Sequence, residues 1–323
     1  MLRLNNCTAV VCFCLIIGLV HAAHAQLRVG VTSTLYAEIV REVGGDVVDV
    51  HLLSSDDPAA ADACDLIVCN GLGWDAWVQQ LDTQQPIFTV TDGLPLLKTG
   101  EMFHQELPLP HTDIASLPSC CQEDAQQDNQ NWTDMIRLLQ AADADLATPH
   151  TSDRPDPYVW LDPHNVQSIT LTINELLVEY DPEHADTYDR NTDAYLETLK
   201  ALDQWIVAEV AEIPMRNRIL VTAQDHFRYF GRRYGFIMPI HFPSVLESAA
   251  LLERTETLAQ TLDIRALFFE VKPAAVFFEF NRQLHLPQPT ELILHLPPTS
   301  LNYVQMMRLN VRQVVAALRR PWR

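Results

Sequence analysis

Between Asp181 and Pro214 the chain carries a single apolar stripe of helical period, and this stretch limits the possible folds more than any other. Asp181 is placed to cap a helix and Pro182 takes its first turn; Tyr188, Tyr195, Leu199, Leu202, Ile206, Val210 and Ile213 fall on one side. About thirty residues at 1.5 Å each reach about 45 Å, more than the width of one small domain. A helix of that length over 182–213 predicts a brace between two folded halves.

The sequence on either side supplies two candidates. Before the helix, Leu27 to Val31 reads as a strand. Leu35, Ile39 and Val43 then recur at spacing four until Gly44-Gly45 stops the helix they imply. Val47 to Leu53, Asp65 to Cys69 and Pro86 to Thr91 read as three further strands, with Trp74 and Trp77 on a short helix between the last two. Short strands separated by helices predict a parallel sheet with helices on its faces. Ligands of such sheets sit at the carboxyl ends of the strands, where Thr32-Ser33-Thr34, Asn70-Gly71 and Thr91-Asp92 fall. After the long helix a second set follows: strands at 219–222, 237–240 and 266–269, the last ending in Glu270, and helices at 226–234 and 246–262. Tyr303, Met306, Met307, Val311, Val314, Val315 and Leu318 mark a final helix, its methionine pair expected in the core.

The first 25 residues read as a separate, cleaved signal peptide. Arg3 opens it, Val10 to Val20 is an apolar run too short to span a bilayer, and Ala23-His24-Ala25 offers small residues for cleavage before Gln26. The expected product is therefore an exported, soluble protein with no integral membrane segment. Of the cysteines, Cys64, Cys69, Cys120 and Cys121 would remain, in spacings that match no zinc ribbon or redox motif.

Charge narrows the partners. The chain carries 42 Asp+Glu against 22 Lys+Arg, a formal net charge of −20. Such a surface repels phosphate backbones, so nucleic acid is excluded as a general partner. Residues 99–157 concentrate the acidity, eleven acidic side chains against Arg137 and Arg154, and only Trp132 to Ala142 has helical periodicity there. A solvated acidic loop is the expectation for the rest. Enzyme signatures are missing too. No G-x-S-x-G elbow exists, VGVTST lacks the glycines of a dinucleotide loop, and no carboxylate pair has a fixed separation.

Several segments in order carry a family likeness: VTSTLYAEIVREVGGD, CDLIVCNGLGWDAWV, DPYVWLDPHN, YDPEHADTYDRNTDAYLETLKALD, ILVTAQDHFRYFGRRYG, ALFFE and NYVQMMRLNVRQVVAAL. With them the chain resembles the periplasmic substrate-binding proteins of ABC importers for zinc and manganese. The resemblance covers most of the chain beyond the acidic segment. It implies a fold of two α/β lobes with parallel central sheets flanked by helices, joined by one long rigid helix. The first lobe would cover 26–181, the linking helix 182–213 and the second lobe 214–323. It also implies the periplasm as the compartment, and a monomeric, non-enzymatic receptor that captures a divalent metal ion between the lobes and delivers it to an ABC permease.

The family's ligand positions are altered here. A His expected after a DP pair is replaced, since Asp57-Pro58 is followed by Ala59-Ala60-Ala61. Tyr158 stands where the second His belongs, Gln224 where a His or Glu follows the strand VTA, and His295 near the position of a final Asp. Zinc favours thiolate, imidazole or carboxylate in tetrahedral geometry, and a neutral Gln amide is a weak substitute. Manganese accepts oxygen more readily but also favours carboxylates. Asp57, Tyr158, His226 and His295 would make a rearranged cation site. The alternative is a relative that has lost classical metal capture and binds another ligand, a metal chelate or a protein partner.

Overall fold

The computed structural model describes residues 26–98, 115, 119–146, 154–224, 226–240, 249–297 and 301–319. The signal segment 1–25, Asp225 and the side chains of Cys120 and Cys121 lie outside the described residues.

In the first lobe, β1 (Leu27–Val31), β2 (Val48–Leu52), β3 (Leu66–Cys69) and β4 (Ile87–Thr89) form one parallel sheet in the order β2-β1-β3-β4. Val29 pairs with Val50 on one side and with Leu66 on the other, so β1 is central, and Val29 and Val31 are wholly buried. Helix α1 (Thr34–Gly44) connects β1 to β2 and ends at Gly45, whose φ of 55° suits a residue without Cβ. Cys64 and Cys69 are buried free thiols beneath this sheet.

The second lobe repeats the topology in looser form. Strand β5 (Phe268–Phe269) pairs in parallel with β6 (Thr290–Glu291), and parallel bridges join Thr222 to Phe268 and Ile219 to Ile237. The spatial order is therefore 237, 219–222, β5, β6: second, first, third, fourth, as in the first lobe. Around it lie α5 (Arg228–Tyr234), α6 (Ala249–Thr261) and α7 (Ala275–Gln283).

One finding departs from the expectation of an acidic loop. Helix α2 runs over Ser119–Leu146, well beyond the 132–142 stretch with legible periodicity. Trp132 and Leu139, seven residues apart on one face, pack into the core formed by Ile219, Val221, Leu258 and Phe280. Exposed Gln127–Asn131 and Gln130–Asp134 pairs line the outside. Two large anchors and i,i+4 polar pairs hold a helix whose average composition is too polar to announce it.

The two lobes are joined through α3 (Pro163–Tyr180) and the long α4 (Ala185–Ala211), entered by a tight turn at Pro182–His184. Asp181 accepts a hydrogen bond from Tyr188 Oη at 2.6 Å and lies 2.7 Å from His184 Nδ1. Tyr188, Tyr195, Leu199, Leu202, Ile206 and Val210 are the buried stripe, and they share one core with α1, α3 and the last helix, α8 (Tyr303–Leu318). The molecule is thus a two-lobed α/β fold with parallel sheets flanked by helices. Among the described residues no helix is long and apolar enough to cross a membrane.

Glu38 of α1 ties the ends of the chain together, since both its carboxyl oxygens lie 3.0 Å from the donating Tyr303 N at the start of α8. Burial, only partly offset by that bond, pushes the Glu38 carboxyl up to about 7. The folded protein therefore holds a proton that the unfolded chain has released, and stability falls as pH rises from the ordinary carboxyl range through 7. Glu38→Gln is expected to flatten this part of the profile. Urea unfolding at pH 5 and pH 8 checks it: the wild type should lose more stability between the two than the variant, and parallel losses would refute the assignment.

Candidate functional site

The carboxyl ends of the first-lobe strands are built around one buried carboxylate. Asp75, 3% exposed, accepts hydrogen bonds from Asn70 N at 2.6 Å, Gly71 N at 2.8 Å and Thr32 Oγ1 at 2.6 Å. It therefore locks the loop after β3 against the end of β1. Tyr36 Oη donates to Asn70 Oδ1 from below. Gly71 has φ 74°, and a Cβ there would lie 2.5 Å from Thr89 Cγ2, so only glycine fits the turn. The product of this loop is a fixed Trp74. Ser33, after β1, caps α1 by accepting from Tyr36 N at 3.2 Å.

Opposite Trp74 stands the turn Val159–Leu161. Asp156 Oδ1 accepts from Tyr158 N at 2.9 Å, and Trp160 Nε1 donates to Leu294 O at 3.0 Å, anchoring the segment that carries His295. Tyr303 Oη in turn donates to Trp160 O at 2.7 Å. A ring cluster results. Trp74 lies 5.6 Å from Tyr158, 5.4 Å from Trp160 and 4.9 Å from His295, centroid to centroid. Tyr158 lies 4.3 Å from His226 and 6.1 Å from His295. Edge-on and tilted contacts at these separations are favourable packings of aromatic rings.

Beside the cluster opens a cavity of about 480 Å³, lined by Thr32, Ser54, Trp74, Trp160, His295 and Met306 among others. Its walls come from chain segments on both sides of α4, and none of its lining residues is Asp, Glu, Lys or Arg.

The electrostatics disfavour anionic donors. Burial, followed by the negative charges of Asp156 and Glu270, pushes the Tyr158 phenol up to about 12, so it stays protonated at neutral pH. His295 is exposed as a residue, yet the rings beside it partly desolvate its imidazole and lower its pKa from 6.5, which favours the neutral form. Glu270, at the end of β5, accepts from His226 N at 3.2 Å.

Of the five residues singled out from sequence, Tyr158, His226 and His295 come together in this cluster. Gln224 and Asp57 are both exposed, Asp57 just before the turn Pro58–Ala63, and of the five residues only His295 lines the cavity. Among the described residues, no three His, Cys, Asp or Glu side chains converge as a cage for a cation. Sequence reasoning passed over Asp75 and Trp160. The signal for Asp75 was its place after two turn-forming glycines in NGLGWD, and for Trp160 its place within DPYVWLDP.

Comparison with known proteins gives one consistent answer. The profile of the family described as "Zinc-uptake complex component A periplasmic" matches residues 29–317. The manganese-binding lipoprotein MntA of Halalkalibacterium halodurans is 38% identical over 34% of this chain and 36% of its own length. The iron-binding protein YfeA of Yersinia pestis is 26% identical over 65% of this chain and 58% of its own. These alignments thus span less than two thirds of either relative. The metal ABC transporter substrate-binding lipoprotein SsaB of Streptococcus sanguinis is 22% identical over 91% of this chain and 90% of its own. Among solved structures, the Mn-bound periplasmic metal binding protein from Candidatus Liberibacter asiaticus superposes with a TM-score of 0.65 at 16% identity, over 91% of this chain and all of that one. A ZnuA crystal structure gives 0.63 at 17% identity, over 91% and 99%. At such identities the structural likeness concerns the fold.

Proposed function

Because the chain belongs to the family of periplasmic zinc-uptake component A proteins, non-enzymatic solute-binding proteins of metal ABC importers, we propose that it takes a metal-bearing cargo into the cleft between its lobes and hands it to the membrane permease. The observation that carries this reading is the cavity walled by residues from both sides of the linking helix, at the carboxyl ends of β1 and β2. Open α/β sheets hold their ligands at that edge. A cargo touching both lobes fixes their relative position, which is the signal a permease can read.

The bare divalent ion fits the donors less well. His226 and His295 offer imidazoles and Tyr158 a phenol that resists ionisation, but of the five candidates only His295 lines the cavity, and Gln224 and Asp57 are exposed. A site with that donor set holds zinc or manganese weakly. The experiment for the receptor role uses vesicles carrying the importer's permease and ATPase subunits. Protein isolated from its own periplasm without denaturation is expected to raise ATP hydrolysis severalfold. No change at saturating protein would contradict the role.

A further inference from the structure

We infer that the cleft cavity receives a metal ion already wrapped by a planar aromatic organic ligand, with the organic part against Trp74 and Trp160 and the His295 imidazole as the protein's single ligand to the metal. The inference rests on the receptor reading above and specifies its cargo.

Volume is the first argument. The cavity measures about 480 Å³, within the range of roughly 300–1,000 Å³ that small organic ligands occupy. A naked cation would leave nearly all of it to water. Lining chemistry is the second. Trp74, Trp160, Leu53 and Met306 give ring and aliphatic surface, and beside His295 the polar side chains are those of Thr32, Ser33, Thr34 and Ser54. Such walls stack an aromatic plane and orient it by a few hydrogen bonds. His295 is the third. It is the lining residue with a strong metal donor, and its ring lies 4.9 Å from Trp74 and 6.2 Å from Trp160. One imidazole cannot complete the coordination sphere of a bare ion, but it suffices where an organic chelator supplies the other ligands. Charge is the fourth. A chelate that keeps net positive charge is drawn to a chain of net charge −20, while the uncharged cavity wall penalises a bare ion most, since nothing there offsets its desolvation.

The experiment is a titration of the metal-stripped protein followed by tryptophan fluorescence and calorimetry. Its probes are the one-to-one zinc complexes of 1,10-phenanthroline and 8-hydroxyquinoline, each chelator alone, and zinc alone. At least one complex is expected to bind tenfold or more tightly than its chelator or zinc alone. His295→Ala should reduce that complex to the affinity of the free chelator. Trp74→Leu, which keeps apolar volume, should weaken complex and free chelator alike. Thermal transitions of both variants near that of the wild type show that folding is not the cause. Zinc alone binding as tightly as the complexes, no binding of either complex, or an unchanged complex affinity in His295→Ala would each overturn the assignment. Stimulation of the importer by this protein, together with failure of both complexes to bind, would leave the receptor role standing and remove the chelate.

Discussion

Asp75→Ala is expected to lower the free energy of unfolding by about 4 kcal/mol, the cost of stranding several buried donors around a lost carboxylate. Asn70 N, Gly71 N and the Thr32 hydroxyl all give their hydrogen bonds to this one side chain. Alanine offers no acceptor, and Asn70, whose N–H gives the shortest backbone bond to the carboxylate, is fully buried. Asp75→Asn should fall between the two, because an amide keeps one oxygen but points an N–H₂ at donors. Urea unfolding monitored by circular dichroism checks the series. A loss below about 1 kcal/mol for the alanine variant would show that the loop does not depend on the carboxylate. The effect also reaches the cleft, since the same loop fixes Trp74.

Arg228→Met is expected to cost about 3–5 kcal/mol, the range for breaking a buried ion pair from one side. Arg228 is 1% exposed and Asp156 is 3% exposed, with Nε 3.9 Å from Oδ2. Methionine fills much of the arginine's volume, so the loss reports the removed charge more than a cavity. The double variant Arg228→Met/Asp156→Asn should recover part of it, since the remaining group is neutral. Non-recovery in the double variant would mean that the pair matters for packing and not for charge. Asp156 also receives Tyr158 N, so this pair is the rear support of the ring cluster.

Much of this architecture could be read from the chain because its signals are local. The four-residue spacing of Leu35, Ile39 and Val43 and the one-sided stripe from Tyr188 to Val210 each specify a buried face, and the helices lie where those faces require. Asp162 caps α3 by accepting from His164 N at 2.8 Å, as its position before Pro163 suggests. Only the Trp132–Ala142 part of helix α2 was legible; its extension over 119–131 was not, because that polar stretch carries no apolar stripe. The site shows the same division. DPYVWLDP marked Tyr158, yet the approach of His295 to it rests on Trp160 bonding to Leu294, 134 residues away. Gln224 and Asp57 follow the ends of strand segments by sequence, and neither is among the residues that line the cavity. Ligand positions inherited from a family therefore say where to look, while the surrounding rings decide what can bind.

Native mass spectrometry of the protein taken from its own periplasm without denaturation tests the aromatic cleft most directly. The expected spectrum contains a population carrying an adduct with both metal and organic mass, and that adduct disappears in His295→Ala. A bound population whose mass increment is one zinc or manganese ion and nothing more would contradict it.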